Sequence, residues 1–195
     1  METILFFDTE TTGLPRNWKA PATELYNWPR MVQLAYEHYT TDGKRLNGKD
    51  YIIKPDGFTI PLEASKLHGI TTEKAIKEGE NLIEVLKEFT AVAVNSSFIV
   101  AHNMAFDEKV LGAELIRAGM ANILDLKKKI CTMQESTLLC AIPGNFGNYK
   151  WPKLQELYLN LFGENFEDAH NAAADVQATV KCFFELVNNY KAIRL

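Results

Sequence analysis

Two acidic residues directly follow an apolar run near the N-terminus, in the stretch FFDTETTGLP at residues 6–15. Asp8 and Glu10 are two positions apart, so in an extended strand both side chains point to the same face. Placing two carboxylates side by side at the end of a buried strand is unfavourable unless a cation lies between them. The spacing alone leaves two interpretations open, a solvated strand end or half of a metal site.

A third acid follows another apolar stretch, IVAHNMAFD at residues 99–107. The pattern predicts a buried strand that ends near His102, and Asp107 then lies at the start of the next helix. A helix N-terminus favours an ionised carboxylate because the helix dipole is positive there. By itself Asp107 also fits the role of an ordinary first-turn acid.

The stretch DAHNAAADV, residues 168–176, contains a histidine and an acid five positions apart. On one continuous helix His170 and Asp175 would be roughly 140° apart and would not share a face. They can share a site if the helix begins near Asn171, a good N-cap, with His170 in the preceding loop. Taken singly, His170 also fits a structural role.

The apolar pattern predicts the elements that must position these residues. Strands are expected at 3–8, 31–40, 49–55, 96–103 and 128–133, and helices at 61–69, around 82–89, and at 106–119, 152–163 and 171–192. Three meandering strands followed by alternating helices and strands predict an α/β domain with a mixed five-stranded sheet flanked by helices. Ligands of such sheets gather at strand ends, where the stretches with Asp8 and Asp107 fall.

Length and composition set the broad class of the protein. The 195 residues suit a single domain, 47% of them are apolar, and the net charge of −4 argues against a polycation that coats nucleic acid. Two divalent cations bound by acids would offset that charge. The sequence predicts no signal peptide or membrane span, and three cysteines without metal or redox spacing favour a reducing compartment, so we expect a cytoplasmic protein.

The three stretches together, in this order and spacing, resemble the motifs of the DEDDh family of 3'-to-5' exonucleases, which have a ribonuclease H-like fold. Within that family they resemble the proofreading epsilon subunits of bacterial DNA polymerase III. WPRMVQLAY, LHGIT, ICTM and PKLQELY are also similar to family sequences. The resemblance covers nearly the whole chain, so residues 1–195 are expected to form one exonuclease domain.

The resemblance implies that Asp8, Glu10, Asp107 and Asp175 bind two Mg2+ or Mn2+ ions and that His170 is the general base. Oxygen ligands suit such hard cations, and two metals can stabilise both the attacking and the leaving oxygen of a phosphodiester. Histidine changes charge near neutral pH, as a base for the attacking water must. The expected product is a 5'-mononucleotide.

The resemblance also implies contacts with the substrate, the 3' end of single-stranded DNA or RNA. The residues expected near that end are Thr11, Leu14, His102 and Asn103. DNA is favoured, with an exoribonuclease of the oligoribonuclease or ribonuclease T type as the alternative. A DNA polymerase is a possible partner, and no membrane is expected.

Two other functions match part of this pattern. A haloacid-dehalogenase-like phosphatase also opens with a strand that ends in aspartate, but it requires Asp-x-Asp, and Glu10 occupies the third position. A non-catalytic nucleic-acid-binding module of the same fold would be favoured if an acid or His170 were missing, and none is. The loop CAIPGNFGNYKWP at 140–152 fits either a packed loop or a substrate contact.

Overall fold

The computed structural model describes residues 2–195 and contains one five-stranded sheet. The strands are β1 (Thr3–Thr11), β2 (Met31–Thr40), β3 (Arg45–Ile52), β4 (Phe98–Ala101) and β5 (Lys128–Cys131). Their spatial order is β3-β2-β1-β4-β5. The pairs β1–β2 and β2–β3 are antiparallel, whereas β1–β4 and β4–β5 are parallel. The predicted mixed five-stranded sheet is therefore confirmed.

Helices cover both faces of this sheet. They are α1 (Leu62–His68), α2 (Thr72–Glu78), α3 (Leu82–Asn95), α4 (Met104–Arg117), α5 (Thr132–Glu135), α6 (Thr137–Cys140), α7 (Leu154–Phe162) and α8 (Ala172–Asn188), with short 3-10 turns at Ile123–Leu126 and Asn145–Gly147. The helices predicted around residues 61–69, 82–89, 106–119, 152–163 and 171–192 are all present.

The central strand β1 is buried on both faces because its apolar side chains alternate between two cores. Leu5 and Phe7 pack into the core that includes α3 and α4, whereas Ile4 and Phe6 pack into the core that includes α7 and α8. Each such side chain contributes about 1.5–3 kcal/mol when it leaves water. The two cores hold the end of β1 at a fixed depth between α4 and α8.

Several strands differ from their predicted bounds, and β4 spans Phe98–Ala101 instead of 96–103. β1 continues to Thr11 instead of ending at residue 8, because Thr9 and Glu10 still pair with β2. β3 begins at Arg45 and ends at Ile52, whereas 49–55 was predicted. This edge strand is mostly exposed, so its first half carries no apolar alternation, and its start is stabilised by a bidentate pair between Arg45 and Glu37.

Two further bounds are shorter than predicted. β5 ends at Cys131 instead of residue 133, because Thr132 and Met133 begin the short helix α5. The last helix ends at Asn188 instead of residue 192.

The remaining expectations concern membranes and thiols. Within residues 2–195, no helix combines the length and the hydrophobicity that a membrane crossing requires. Cys131, Cys140 and Cys182 are free thiols.

Candidate active site

Asp8 and Glu10 lie on the face of β1 that is covered by α8. They continue the row of Ile4 and Phe6, which pack against that helix, and the strand is extended as far as Thr11. Glu10 pairs with Gln33 of β2, and the Gln33 Oε1 accepts a hydrogen bond from the Ala172 N–H, at 3.3 Å, at the start of α8. Gln33 therefore fixes the N-terminus of α8 over the two acids.

The start of α8 has the arrangement that the sequence predicts. Asn171 is the N-cap, and its Oδ1 accepts hydrogen bonds from the N–H groups of Ala173 and Ala174. His170 lies in the preceding loop and Asp175 in the first turn of the helix. The loop brings both residues to the same place, since the His170 N–H donates to Asp175 Oδ2 at 3.2 Å.

Three of the four predicted metal ligands form one tight group. Asp8, Glu10 and Asp175 each offer a carboxylate oxygen, and these oxygens all lie within 4.8 Å of one another. Glu10 is buried, and the other two are partly buried. Within residues 2–195, no lysine or arginine forms an ion pair with any of the three.

The fourth acid, Asp107, lies outside this tight group. It is in the first turn of α4 and only 3% exposed. Its Oδ1 accepts two hydrogen bonds from Thr9, from the backbone N–H at 3.1 Å and from the hydroxyl at 2.8 Å. Thr9 lies between Asp8 and Glu10 on β1 and points to the opposite face, so the same strand holds acids on both sides.

Burial raises the pKa values of all four acids, and repulsion from neighbouring acids adds to the shift of Asp8, Glu10 and Asp107. Burial is the largest cause for each, and it raises the pKa of Glu10 to about 8 and that of Asp175 to about 6. The pKa of Asp8 is also raised, by burial and then by the charges of Asp107, Asp175 and Glu10. The pKa of Asp107 rises to about 7 although hydrogen bonds from Thr9 oppose the shift. The cluster therefore resists carrying its full negative charge without a cation.

The donor set fits hard divalent cations. Carboxylate oxygens are the ligands that Mg2+ and Mn2+ prefer in proteins, and the three converging oxygens are within reach of one ion. Among residues 2–195, no thiolate or imidazole joins the group of Asp8, Glu10 and Asp175, so the chemistry of the donors favours these ions over Zn2+.

His170 is exposed and its backbone has a positive φ of 69°. A non-glycine residue in this left-handed region is uncommon, and such residues are held there by the surrounding structure. Here the hydrogen bond from the His170 N–H to Asp175 helps to stabilise the left-handed backbone conformation. The residue is exposed to solvent, and its backbone N–H contacts the Asp175 carboxylate.

His102 is engaged by the protein through both ring nitrogens. Nε2 lies 3.0 Å from the carbonyl oxygen of Pro152 and therefore donates, so Nδ1, 3.0 Å from the Thr132 hydroxyl, accepts. Burial lowers the pKa of His102 to about 4, in agreement with a neutral ring. Both ring nitrogens therefore bond within the chain, an arrangement that orients the end of β4, and contact between His102 and the substrate stays a prediction.

The other three predicted substrate contacts have different environments. Asn103 has a left-handed backbone, with φ 79°, and precedes α4 without capping it through its side chain. Thr11 is buried and its hydroxyl donates to the Gly13 carbonyl at 2.7 Å. Leu14 is 73% exposed. Asn103 and Leu14 therefore present side chains that a ligand can reach, whereas Thr11 offers mainly backbone.

Sequence reasoning missed two residues that hold the site together, Thr9 and Gln33. Both are polar residues inside strands that are otherwise apolar, and both are buried. A buried polar side chain requires a hydrogen-bond partner. That requirement is the signal that points to them, but it does not identify Asp107 and Ala172 as the partners.

Comparison with known proteins gives a family match and several relatives. The family model described as exonuclease, of the RNase T type, matches residues 5–183. Three-prime repair exonuclease 1 of Homo sapiens is 28% identical over 198 residues, covering 91% of this chain and 62% of that protein. DNA polymerase III subunit epsilon of Treponema pallidum is 27% identical over 185 residues, covering 94% of this chain and 76% of that protein.

Solved structures of E. coli exonuclease I have the same fold. The complex with a dT13 oligonucleotide superimposes with a TM-score of 0.77 at 21% identity, covering 97% of this chain and 41% of that chain. This likeness confirms the ribonuclease H-like α/β fold. The chain spans about three fifths of the length of three-prime repair exonuclease 1 and less than half of exonuclease I.

Proposed function

The chain belongs to the RNase T exonuclease family, and from this premise we propose that it is a metal-dependent 3'-to-5' exonuclease. It releases 5'-mononucleotides from the 3' end of a single strand, with DNA as the favoured substrate, and residues 1–195 act as one exonuclease domain. The observation that carries the proposal is the group of Asp8, Glu10 and Asp175, whose carboxylate oxygens converge without a compensating cation from residues 2–195.

Asp8, Glu10 and Asp175 hold divalent metal, and Asp107 completes a set for two Mg2+ or Mn2+ ions. When bound, two such ions stabilise the attacking and leaving oxygens of the phosphodiester and acidify the attacking water. The raised pKa values support this assignment, because a cation favours the ionised form of each carboxylate. The Thr9 hydroxyl keeps Asp107 turned towards β1.

His170 accepts the proton of the water that attacks the terminal phosphate. The bond between phosphorus and the 3'-oxygen of the preceding nucleotide breaks, a proton restores that oxygen as a hydroxyl, and the terminal nucleotide leaves as a 5'-monophosphate. The hydrogen bond from the His170 N–H to Asp175 ties the base to the metal site. Its exposed ring is free to exchange the proton with solvent.

The loop after β1 binds the 3'-terminal nucleotide. Leu14 projects into solvent beside the acids and packs against the terminal base, while the backbone at Thr11 and the side chain of Asn103 contact the sugar. The loop is held in place because the Thr12 N–H donates to the Arg30 carbonyl at 2.9 Å, and the Arg30 N–H donates to the Thr12 hydroxyl at 3.0 Å. A preorganised loop loses less conformational freedom on binding.

The relatives support DNA as the favoured substrate and a DNA polymerase as a possible partner. One relative is a DNA polymerase III subunit and another is a three-prime repair exonuclease. The E. coli exonuclease I structure contains a dT13 oligonucleotide. The alternative is an exoribonuclease of the oligoribonuclease or ribonuclease T type, and the cytoplasm is the proposed place of action, where free thiols are stable.

The experiment follows single strands that carry a label at the 5' end, in matched DNA and RNA versions. We expect a descending ladder of shortened strands with Mg2+ or Mn2+, no reaction with a chelator, and faster loss of DNA than of RNA. The His170→Ala and Asp8→Ala variants should be inactive. Cleavage that proceeds at the wild-type rate in either variant contradicts the proposed mechanism, and faster loss of RNA favours the alternative.

A further inference from the structure

The loop between α6 and α7 carries three exposed aromatic side chains. We call residues 141–152 the aromatic hairpin. The Gly144 N–H donates to the Asn148 carbonyl at 2.8 Å, and the Lys150 N–H donates to the Ile142 carbonyl at 3.0 Å. The segment is therefore closed on itself by backbone hydrogen bonds, and its aromatic side chains project from a defined backbone.

The exposure of these rings is large. It is 101% for Phe146, 50% for Tyr149 and 62% for Trp151. Phe146 also has a left-handed backbone, with φ 57°, which is unusual for a bulky residue. Within residues 2–195, Phe146 is uncovered and Tyr149 and Trp151 are covered only in part, although aromatic side chains gain most when they leave water. Several exposed aromatics on one loop indicate a surface that binds a ligand.

The charge around the aromatic hairpin suits a polyanion. Residues 136–155 contain no aspartate or glutamate and include Lys150 and Lys153, although the chain as a whole has a net charge of −4. Lys150 pairs with Glu156 just outside this segment. Aromatic rings combined with positive charge are the features that bind the bases and backbone of single-stranded nucleic acid.

The aromatic hairpin is joined to the proposed active site. Trp151 precedes Pro152, whose carbonyl accepts the hydrogen bond from His102 Nε2 at 3.0 Å. His102 directly precedes Asn103 and the N-terminus of α4, which carries Asp107. A strand whose 3' end lies at the acids therefore has the aromatic hairpin as a neighbouring surface.

From these observations we infer that the aromatic hairpin is a binding site for the unpaired bases of the substrate strand, on the 5' side of the nucleotide being removed. The bases stack on Tyr149, Trp151 and Phe146, and Lys153 attracts the phosphates. The inference rests on the proposed exonuclease function for the direction of the strand. It adds a second subsite that only substrates longer than the terminal nucleotides can reach.

The test measures Kd for labelled oligothymidylate in the presence of a chelator, so that no cleavage is needed. The variant combines Phe146→Ala, Tyr149→Ala and Trp151→Ala. The control is Tyr190→Ala, another exposed aromatic, which lies just beyond the far end of α8, about 20 Å along the helix from Asp175. For a strand of about 12 nucleotides, we expect the triple variant to raise Kd roughly 5- to 100-fold and the control to leave it unchanged.

Two further substrates distinguish the loss of base stacking from other causes of a raised Kd. A dinucleotide should be bound and, with Mg2+, cleaved equally by the wild type and the triple variant, which also shows that the variant folds. A long strand without bases should bind the wild type as weakly as the normal strand binds the variant. Trp151→Phe should retain most of the affinity, because phenylalanine still stacks.

Several outcomes would overturn the inference. These are an unchanged Kd in the triple variant, an equal loss with the dinucleotide, or tight wild-type binding of the strand without bases. Self-association of the wild type that the triple variant abolishes, with no change in Kd, would identify the aromatic hairpin as a contact between copies of the chain. Hairpin-dependent binding without hydrolysis by the wild type would instead refute the proposed function and leave this binding site in place.

Discussion

Helix α4 carries two buried acids seven residues apart, and the charges of the groups around them differ. Asp107 and Glu114 are 3% and 0% exposed, and a seven-residue spacing puts them on the same face of the helix. Glu114 Oε1 lies 2.8 Å from Arg30 Nε and 3.0 Å from Arg117 Nη1, and it also accepts from the Met31 N–H. Asp107 receives only the neutral donors of Thr9.

The difference in surroundings distinguishes an acid whose ion pairs stabilise the fold, Glu114, from an acid that is available to bind a ligand, Asp107. Two guanidinium groups compensate the charge of Glu114 at Oε1, so its charge is neutralised by the chain even though the buried Oε2 has no hydrogen-bond partner among residues 2–195. The charge of Asp107 interacts with those of Asp8, Glu10 and Asp175, and burial raises its pKa to about 7. The chain thus has arginines available to neutralise a buried carboxylate, but within residues 2–195 none pairs with the acids at the end of β1. This uncompensated charge is the observation that supports the proposed metal site.

The largest expected effect is the loss of activity when an acid of the cluster is neutralised. Asp8→Asn or Asp175→Asn should lower the hydrolysis rate on the order of 10³-fold or more, as is usual when one member of a catalytic set is lost. Thermal unfolding of the same variants without metal should occur at an equal or higher Tm, because a repelling charge is removed. If either variant loses activity only because it unfolds, the proposed difference between the acids of the cluster and Glu114 is contradicted.

Glu114 should behave in the opposite way. Glu114→Gln leaves Arg30 and Arg117 without their shared partner, and breaking a buried ion pair costs about 3–5 kcal/mol of unfolding free energy. Denaturant unfolding measures that loss, and the activity of the molecules that remain folded should stay near the wild-type value. A fully stable but inactive Glu114→Gln variant would show that this acid belongs to the active site.

The stability of the metal-free protein should depend on pH in an unusual direction. The pKa values of Glu10, Asp107 and Asp175 are raised to about 8, 7 and 6, above their values in the unfolded chain. The folded state therefore binds more protons than the unfolded state, and the stability from these groups is fully present below about pH 4 and is lost as pH rises to about 8.

Melting curves at several pH values, with a chelator and with Mg2+, measure this effect. Between about pH 4 and about pH 8, the Tm of the metal-free protein should fall by several degrees as pH rises. The addition of Mg2+ should raise the Tm more at pH 8 than at pH 5. If the increase in Tm caused by Mg2+ is the same at every pH, the raised pKa values do not control metal binding. In the Asp175→Asn variant, the Tm of the metal-free protein should change less with pH.

The smallest expected effect concerns Thr9, which was not recognised from the sequence. Thr9→Val removes the hydroxyl that donates to Asp107, and a hydrogen bond to a charged group contributes about 1.5–3 kcal/mol. We expect the rate to fall roughly 10-fold, a smaller loss than for the acids themselves, because the Thr9 N–H still donates. Thr9→Ser is the matched control and should retain the rate.

The sequence allowed much of the fold and the main acids to be predicted, because these depend on local patterns. The alternation along β1 and the helical spacing in α4 and α8 follow from periodicity, and Asn171 as the N-cap correctly placed His170 in a loop. The start of β3 at Arg45 did not follow, because an exposed edge strand carries no apolar alternation. Backbone pairing and the Arg45–Glu37 contact determine that start.

Contacts between distant residues were beyond prediction from one sequence. Nothing local indicates that Thr9 contacts Asp107, 98 positions away, or that Gln33 contacts Ala172, 139 positions away. The partners of His102 could not be recognised either, because Thr132 and Pro152 reach its ring nitrogens only in the folded chain. The positions of the acids were predictable, whereas the partners that orient them were not.

The most direct test of the central claim is titration of the protein with Mn2+, followed by calorimetry or by the electron spin resonance of free Mn2+. We predict that the wild type and Glu114→Gln bind two Mn2+ ions per chain, that Asp8→Asn and Asp175→Asn lose at least one, and that bound metal raises the Tm of the wild type more than that of Asp8→Asn. Absence of binding by the wild type, or binding that Asp8→Asn leaves unchanged, would contradict the claim that the acids at the end of β1 form a metal site.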